Sequence, residues 1–182
     1  NLTLSLWFNS TKTSGWDDVL ISKNVRGEFD IQYLTSGTNH FRFLQGSSSG
    51  TSGAPAGINY YNSPTYTISA NTWYHLVVTR EGSGTNWIVN FYVNGISIGS
   101  VATPTSSPVT NTPRITDEAI YIGRRNDDWN TAYYYWQGSI DDVRIYNTVL
   151  TPNQILNIVN HPLITIPTPV AWLKFNNSNT DT

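Results

Sequence analysis

Residues 71–99 read NTWYHLVVTREGSGTNWIVNFYVNGISIG. Two long apolar runs, WYHLVVTR and NWIVNFYV, alternate in side-chain character and are rich in β-branched and aromatic residues, the mark of half-buried strands. Asn94-Gly95 follows the second run and precedes a third. Both residues tolerate positive φ, so the pair is a strong hairpin signal. The stretch therefore predicts consecutive antiparallel strands. The same period of two recurs outward in both directions. LTLSLWF (2–8) sets Leu2, Leu4, Leu6 and Phe8 against Thr3, Ser5 and Trp7. DVLISKN, GEFDIQYL, HFRFLQ, SIGSVA, EAIYIGR and IDDVRIYN repeat it between Gly, Asn, Ser and Pro punctuation. Only 150–160, LTPNQILNIVN, has helical spacing: Thr151 caps it, Pro152 takes the first position, and Ile155, Leu156 and Val159 form its stripe. The expected fold is all-β: a two-sheet antiparallel jelly-roll sandwich with one short C-terminal helix.

Composition narrows the function. The 182 residues suit one domain, and only 12% are charged, with a net charge of −2. Lys and Arg are scattered, so the basic footprint of a nucleic-acid binder is missing. There is no cysteine, which excludes a disulfide scaffold and a thiolate metal site. No apolar run approaches the ~20 residues needed to span a bilayer. The chain opens with neither Met nor a signal peptide, and is expected to be a processed form or part of a longer polypeptide. An Asn/Thr/Ser-rich, aromatic-rich composition without cysteine suits an extracellular protein of a cell or virion surface. Two stretches, 46–64 and 102–116, read as long loops.

Several motifs in order carry a resemblance: the WYHLVVT strand, the YVNG hairpin, and the closing GSIDDVRIYN strand with its helix. Over about residues 2–160 the chain resembles the laminin-G-like branch of the concanavalin A-like lectin/glucanase superfamily. The resemblance implies a curved jelly roll and a carbohydrate-binding or adhesive role in secreted proteins. One departure stands out. The family's opening strand, roughly V-A-W-x-x-F, is absent from the start of this chain and present at its end, in PVAWLKFNNSNTDT (169–182). Residues 1–160 are thus expected to form the sandwich, 161–169 a stiff proline-rich linker, and 170–182 a strand. That strand completes this domain, inserts into another copy, or opens a further repeat. Val170, Trp172, Leu173 and Phe175 are its assembly residues, expected to cover an open strip of core.

The resemblance also implies a structural Ca²⁺, held by Asp141, with Asp142 beside it, and by Asp181 in the turn after the displaced strand. Parity supports the first ligand: Asp141 alternates with Val143 and Ile145, so it points inward and needs a partner. Other candidates lie in loops. Trp129, flanked by Asp127, Asp128 and Asn130, joins an indole to hydrogen-bonding groups suited to a sugar. Trp16, beside two carboxylates, repeats the pattern, and Trp87 is a third exposed platform. The same aromatics equally suit a protein contact. His40, His75 and His161 lack ligand spacing, and His75 reads as structural.

Glycosidases on this fold carry roughly Glu-x-Asp-x-x-Glu on one strand. GEFDIQY supplies Glu28 and Asp30, expected on one strand face, but Gln32 or Tyr33 stands where the acid belongs. Retaining hydrolysis needs two carboxyl groups about 5–5.5 Å apart, so no enzyme is expected. The leading reading is a non-catalytic, extracellular, lectin-like adhesion or assembly module. The alternatives are a filament subunit joined by C-terminal strand donation and a carbohydrate-binding module of a larger hydrolase. Its partners are a glycan or cell-surface protein, and copies of itself.

Overall fold

The computed structural model describes residues 1–12, 18–23, 28–35, 37–46, 57–83, 86–105, 119–125, 134–160 and 165–175. Eleven strands and one helix run in the order β1 (Leu2–Ser10), β2 (Asp18–Lys23), β3 (Phe29–Leu34), β4 (His40–Gly46), β5 (Ile58–Asn62), β6 (Trp73–Ser83), β7 (Asn86–Val93), β8 (Ile96–Val101), β9 (Tyr121–Ile122), β10 (Gly138–Tyr146), α1 (Pro152–Asn160) and β11 (Ala171–Leu173). They form two antiparallel sheets, β11-β10-β1-β6-β7-β8 and β5-β4-β3-β2-β9. The jelly-roll sandwich and its single short helix are as the sequence implies.

The core follows from the alternation. Leu4, Leu6 and Phe8 of β1 meet Phe29, Ile31, Phe41 and Phe43 of the facing sheet, all buried in one cluster. Phe8 is its aromatic hub. Its ring centroid lies 5.8 Å from Phe41, 5.6 Å from Tyr74 and 5.5 Å from Trp136. Trp136 satisfies its indole N–H on the Asn9 carbonyl at 3.0 Å, as a buried donor requires. Asn94 and Gly95 take φ of 50° and 81° and close the β7–β8 hairpin.

Helix α1 begins as its sequence says. Thr151 and Gln154 cap each other's backbone N–H groups, at 2.8 and 3.3 Å. Its buried Ile155 and Ile158 pack on Val77, Tyr92 and Tyr146. These three alternate with core residues of β6, β7 and β10, so α1 covers part of the outer face of the six-stranded sheet.

The 46–64 loop is shorter than its composition suggests. Its last residues form β5, because Tyr61 alternates inward against Phe43 at 6.3 Å between centroids. A larger difference concerns β11. It pairs with β10 of its own sheet, Ala171 opposite Ile145 and Leu173 opposite Val143. Ala171 alone of the strand packs on the core. Val170 is 60% exposed and Phe175 55%, and Leu173 and Trp172 are also exposed. The expected apolar cover is therefore mostly not made: β11 has three residues, and its alternation turns Trp172 away from the core.

Replacing Phe8 with Ala removes the hub of this cluster and should lower unfolding free energy by about 3–5 kcal/mol. Urea denaturation followed by tryptophan fluorescence measures it.

Candidate functional site

The outer face of the six-stranded sheet has two ends, one under α1 and one open. The open end is built by a break in the strand alternation. Leu4 pairs with Ile145 and Ser5 with Arg144, yet Trp7 pairs with Asp141 and Phe8 with Ile140. One extra residue of β10 therefore stands opposite Leu6. Asp142 supplies it, with a φ of 49°, a left-handed conformation that Asp tolerates better than most residues. This is a β-bulge, and bulges re-aim side chains.

The consequence overturns the parity argument for Asp141. Beyond the bulge Ile140, not Asp141, shares the core side with Val143 and Ile145. Asp141 stands on the outer face, opposite Trp7. Together Trp7, Trp73, Asp141 and Asp142 line an open depression of about 320 Å³. Trp73 is 46% exposed. Trp7 leans on the His75 ring, with centroids 5.1 Å apart.

Each group is fixed from behind. Arg144 gives Asp142 a two-pronged bond, Nε to Oδ1 at 3.0 Å and Nη2 to Oδ2 at 2.7 Å. The Trp172 indole N–H also donates to Asp142 Oδ1. Arg144 and Lys174 lie 4.5 and 3.7 Å from the centre of the Trp172 ring. Trp172 is thus a strut held by two cations, a role that the sequence had not suggested. Asp141 Oδ1 accepts from the backbone N–H groups of Asp142 at 2.7 Å and Phe175 at 3.0 Å. β11 thereby completes the rim.

These bonds bear on calcium. A hard cation takes several oxygen ligands, and Asp142 is engaged on both oxygens by a guanidinium. Asp181 lies outside the described residues. Among the described residues no group of three His, Cys, Asp or Glu stands ready to hold a metal.

The remaining candidates separate. Trp16, Asp127, Asp128, Trp129 and Asn130 lie outside the described residues. Trp87 corrects its expectation: it is 7% exposed, because it alternates inward with Val89 and Phe91 and lies beneath the Arg80 guanidinium at 4.9 Å. Trp7 and Trp73 were missed. The signal for Trp7 was present, a large indole on the polar side of LTLSLWF.

The residues of the glucanase-like stretch are committed elsewhere. Asp30 is fully buried and accepts from Arg125 Nε at 2.9 Å. Burial pushes its carboxyl upward, and Arg125 opposes that shift. Glu28 does not share its strand face: it precedes β3 and bonds Lys23 Nζ at 2.6 Å.

The fold, the order of the strands and this geometry can now be set beside known proteins. The model of one family, described as the concanavalin A-like lectin/glucanases superfamily, matches residues 1–156. The chain belongs to this superfamily. Comparison with curated proteins finds no match. Solved structures share the superfamily fold at low identity. A putative carbohydrate binding protein from Bacteroides ovatus superposes with a TM-score of 0.66 at 16% identity, covering 100% of this chain and 47% of that one. The CBM40 of a Ruminococcus gnavus sialidase gives 0.60 at 14%, covering 87% and 82%. Domain 4 of an extracellular arabinanase from Geobacillus stearothermophilus, solved with arabinotriose, gives 0.55 at 21%, covering 87% and 66%. The chain thus spans less than two thirds of the length of the first and third of these. Among its described residues no helix is long and apolar enough to cross a membrane.

His75 lies under the site and gives it a pH dependence. It is buried, its Nε2 and Ser5 Oγ share a 2.8 Å hydrogen bond, and its Nδ1 has no partner. Burial lowers its pKa from 6.5 to about 4. The unfolded chain therefore binds more protons between these values, and stability falls as pH drops from 6.5 toward 4. The loss should reach at most about 3 kcal/mol. Urea midpoints across this range should show it, and His75→Gln should flatten the profile.

Proposed function

We propose that the chain is a non-catalytic carbohydrate-binding module acting outside the cell, and that the open end of the outer face is its sugar-contact surface. The observation that carries this reading is the depression itself, where Trp7 and Trp73 stand beside two carboxylates held by neighbouring donors. An indole offers a flat apolar surface to the C–H face of a pyranose ring. A fixed carboxylate accepts hydrogen bonds from hydroxyl groups. Few, rigid polar groups among aromatic ones are the usual makeup of a small-molecule site.

The solved neighbours support the ligand class. The arabinanase domain was solved in complex with arabinotriose and the sialidase CBM40 bound to α2,3-sialyllactose. Both belong to hydrolases, which supports a role holding a linked enzyme on its polymer. The arabinanase is extracellular, which supports that location. Against catalysis by this chain stand the pairing of Asp30 with Arg125 and of Glu28 with Lys23. Neither carboxylate is left to act as nucleophile or acid.

A second reading, assembly through the C-terminal strand, draws on β11. It ends the six-stranded sheet, and Val170, Trp172, Leu173 and Phe175 on and beside it are exposed. A sheet edge with apolar flanks accepts a further strand.

Calorimetric titration with soluble oligosaccharides, chosen by a glycan array, tests the main reading. Trp73→Ala should weaken binding by about 1–2 kcal/mol or abolish it, while leaving the melting temperature unchanged. No reducing sugar should be released. Unaltered affinity in Trp73→Ala would move the sugar surface elsewhere. Concentration-dependent oligomers lost on deleting 168–182 would favour the second reading.

A further inference from the structure

A second cavity, of about 620 Å³, lies far from the tryptophan depression, at the end of the sandwich where Leu2, Phe29, Ile145 and Val170 come together. Arg80 opens into it. Its position is unusual. On β6 it alternates with Leu76 and Val78, both core residues, and it is itself only 8% exposed. A buried guanidinium is normally paired with a carboxylate. None among the described residues pairs with Arg80. Its contacts are one long hydrogen bond, Nη1 to Gln45 Oε1 at 3.3 Å, and the face of Trp87. Its Nε is buried without any acceptor.

The other charged side chains on its wall are Lys23 and Glu28, and Asn1 also lines it. Lys23 and Glu28 are bonded to each other at 2.6 Å and cancel. Burial lowers the pKa of Arg80 only to about 10, so it remains a cation at neutral pH. What remains is a guanidinium with no carboxylate partner among the described residues, at a chamber whose walls are mostly apolar.

We propose that this cavity is a binding site for a small organic monocarboxylate with an apolar face, its carboxylate received by Arg80 and its body lying against Phe29, Ile145 and Val170. One buried guanidinium among apolar walls suits an anion with an apolar body better than sulfate or phosphate. A guanidinium suits the planar geometry of a carboxylate. The volume accepts a ligand of roughly one or two rings. A carboxylated sugar and a simple aryl-alkyl acid share this chemistry. The first needs acceptors and donors for its hydroxyls, which Asn147 on the lining offers. The second needs only the apolar walls. The inference does not rest on the tryptophan depression.

Glucuronate and 3-phenylpropionate serve as probes, with glucose and sulfate as controls. Saturation-transfer NMR and the indole N–H shift of Trp87 report binding to the full chain. One or both carboxylates should bind saturably and move the Trp87 signal, and the controls should do neither. Which carboxylate binds tighter identifies the source. Trp73→Ala should bind as the parent does, which separates this site from the sugar surface. Arg80→Gln should lose at least about tenfold in affinity without a lower melting temperature, because it removes an unpaired buried charge. Absence of carboxylate binding, an unmoved Trp87 signal, equal binding of sulfate, or full affinity in Arg80→Gln would each overturn the proposal. The wild-type Trp87 shift decides the matter even if Arg80→Gln fails to fold.

Discussion

The pairing of β1 with β10 is the constraint on which the rest of the molecule depends. It joins the beginning of the described chain to residues 138–146 and lies in the interior of the six-stranded sheet. Strands so far apart in sequence close a large loop, and their pairing is rewarded only when the core on one side and a useful surface on the other both form. The core side is served by Leu4, Leu6 and Phe8 against Ile140, Val143 and Ile145. The outer side is served by the extra residue at Asp142. Without that residue Asp141 would share the side of Val143, a carboxylate aimed at hydrocarbon. With it, Asp141 and Arg144 both stand outside, and the buried face of β10 stays apolar.

The outer face is then divided by its own residues. Where it is apolar, at Val77, Tyr92 and Tyr146, α1 covers it. Where it carries His75, Trp7 and Trp73, it stays partly open. The boundary is stiff, because Ser5 holds His75 and Arg144 holds Asp142. Rigidity of this kind suits recognition, since side chains already fixed lose little entropy when a ligand arrives. β11 adds the last support: Trp172 fixes Asp142 and the Phe175 amide fixes Asp141. The displaced strand thus bears more on the rim of the site than on the core, where only Ala171 enters.

Two arginines show how differently the fold treats charge. Arg125 meets the buried carboxylate of Asp30 on the outer side of the five-stranded sheet. Arg80 meets no acid among the described residues and rests on Trp87 at the mouth of a chamber. The first arrangement is complete in itself, which takes the most glucanase-like residue out of play. The second is incomplete, and incompleteness at a cavity wall is what a ligand can relieve.

Sequence alone determined the fold class, the hairpin at Asn94-Gly95 and the helix at 150–160. These rest on local signals: a period of two, turn residues with positive φ, and a capping Thr. It also singled out Asp141, Asp142 and Trp172. Tertiary structure decided which groups they meet. A bulge is invisible to parity, because one added residue reverses every alternation beyond it, and Asp142 does not announce its φ in the sequence. Trp7 and Trp73 lie in different strands, 66 positions apart, and only the β1–β6 register makes them neighbours. Trp87 and Arg80 look exposed and solvated by composition. Their strand face, set by Val89, Phe91, Leu76 and Val78, turns both inward.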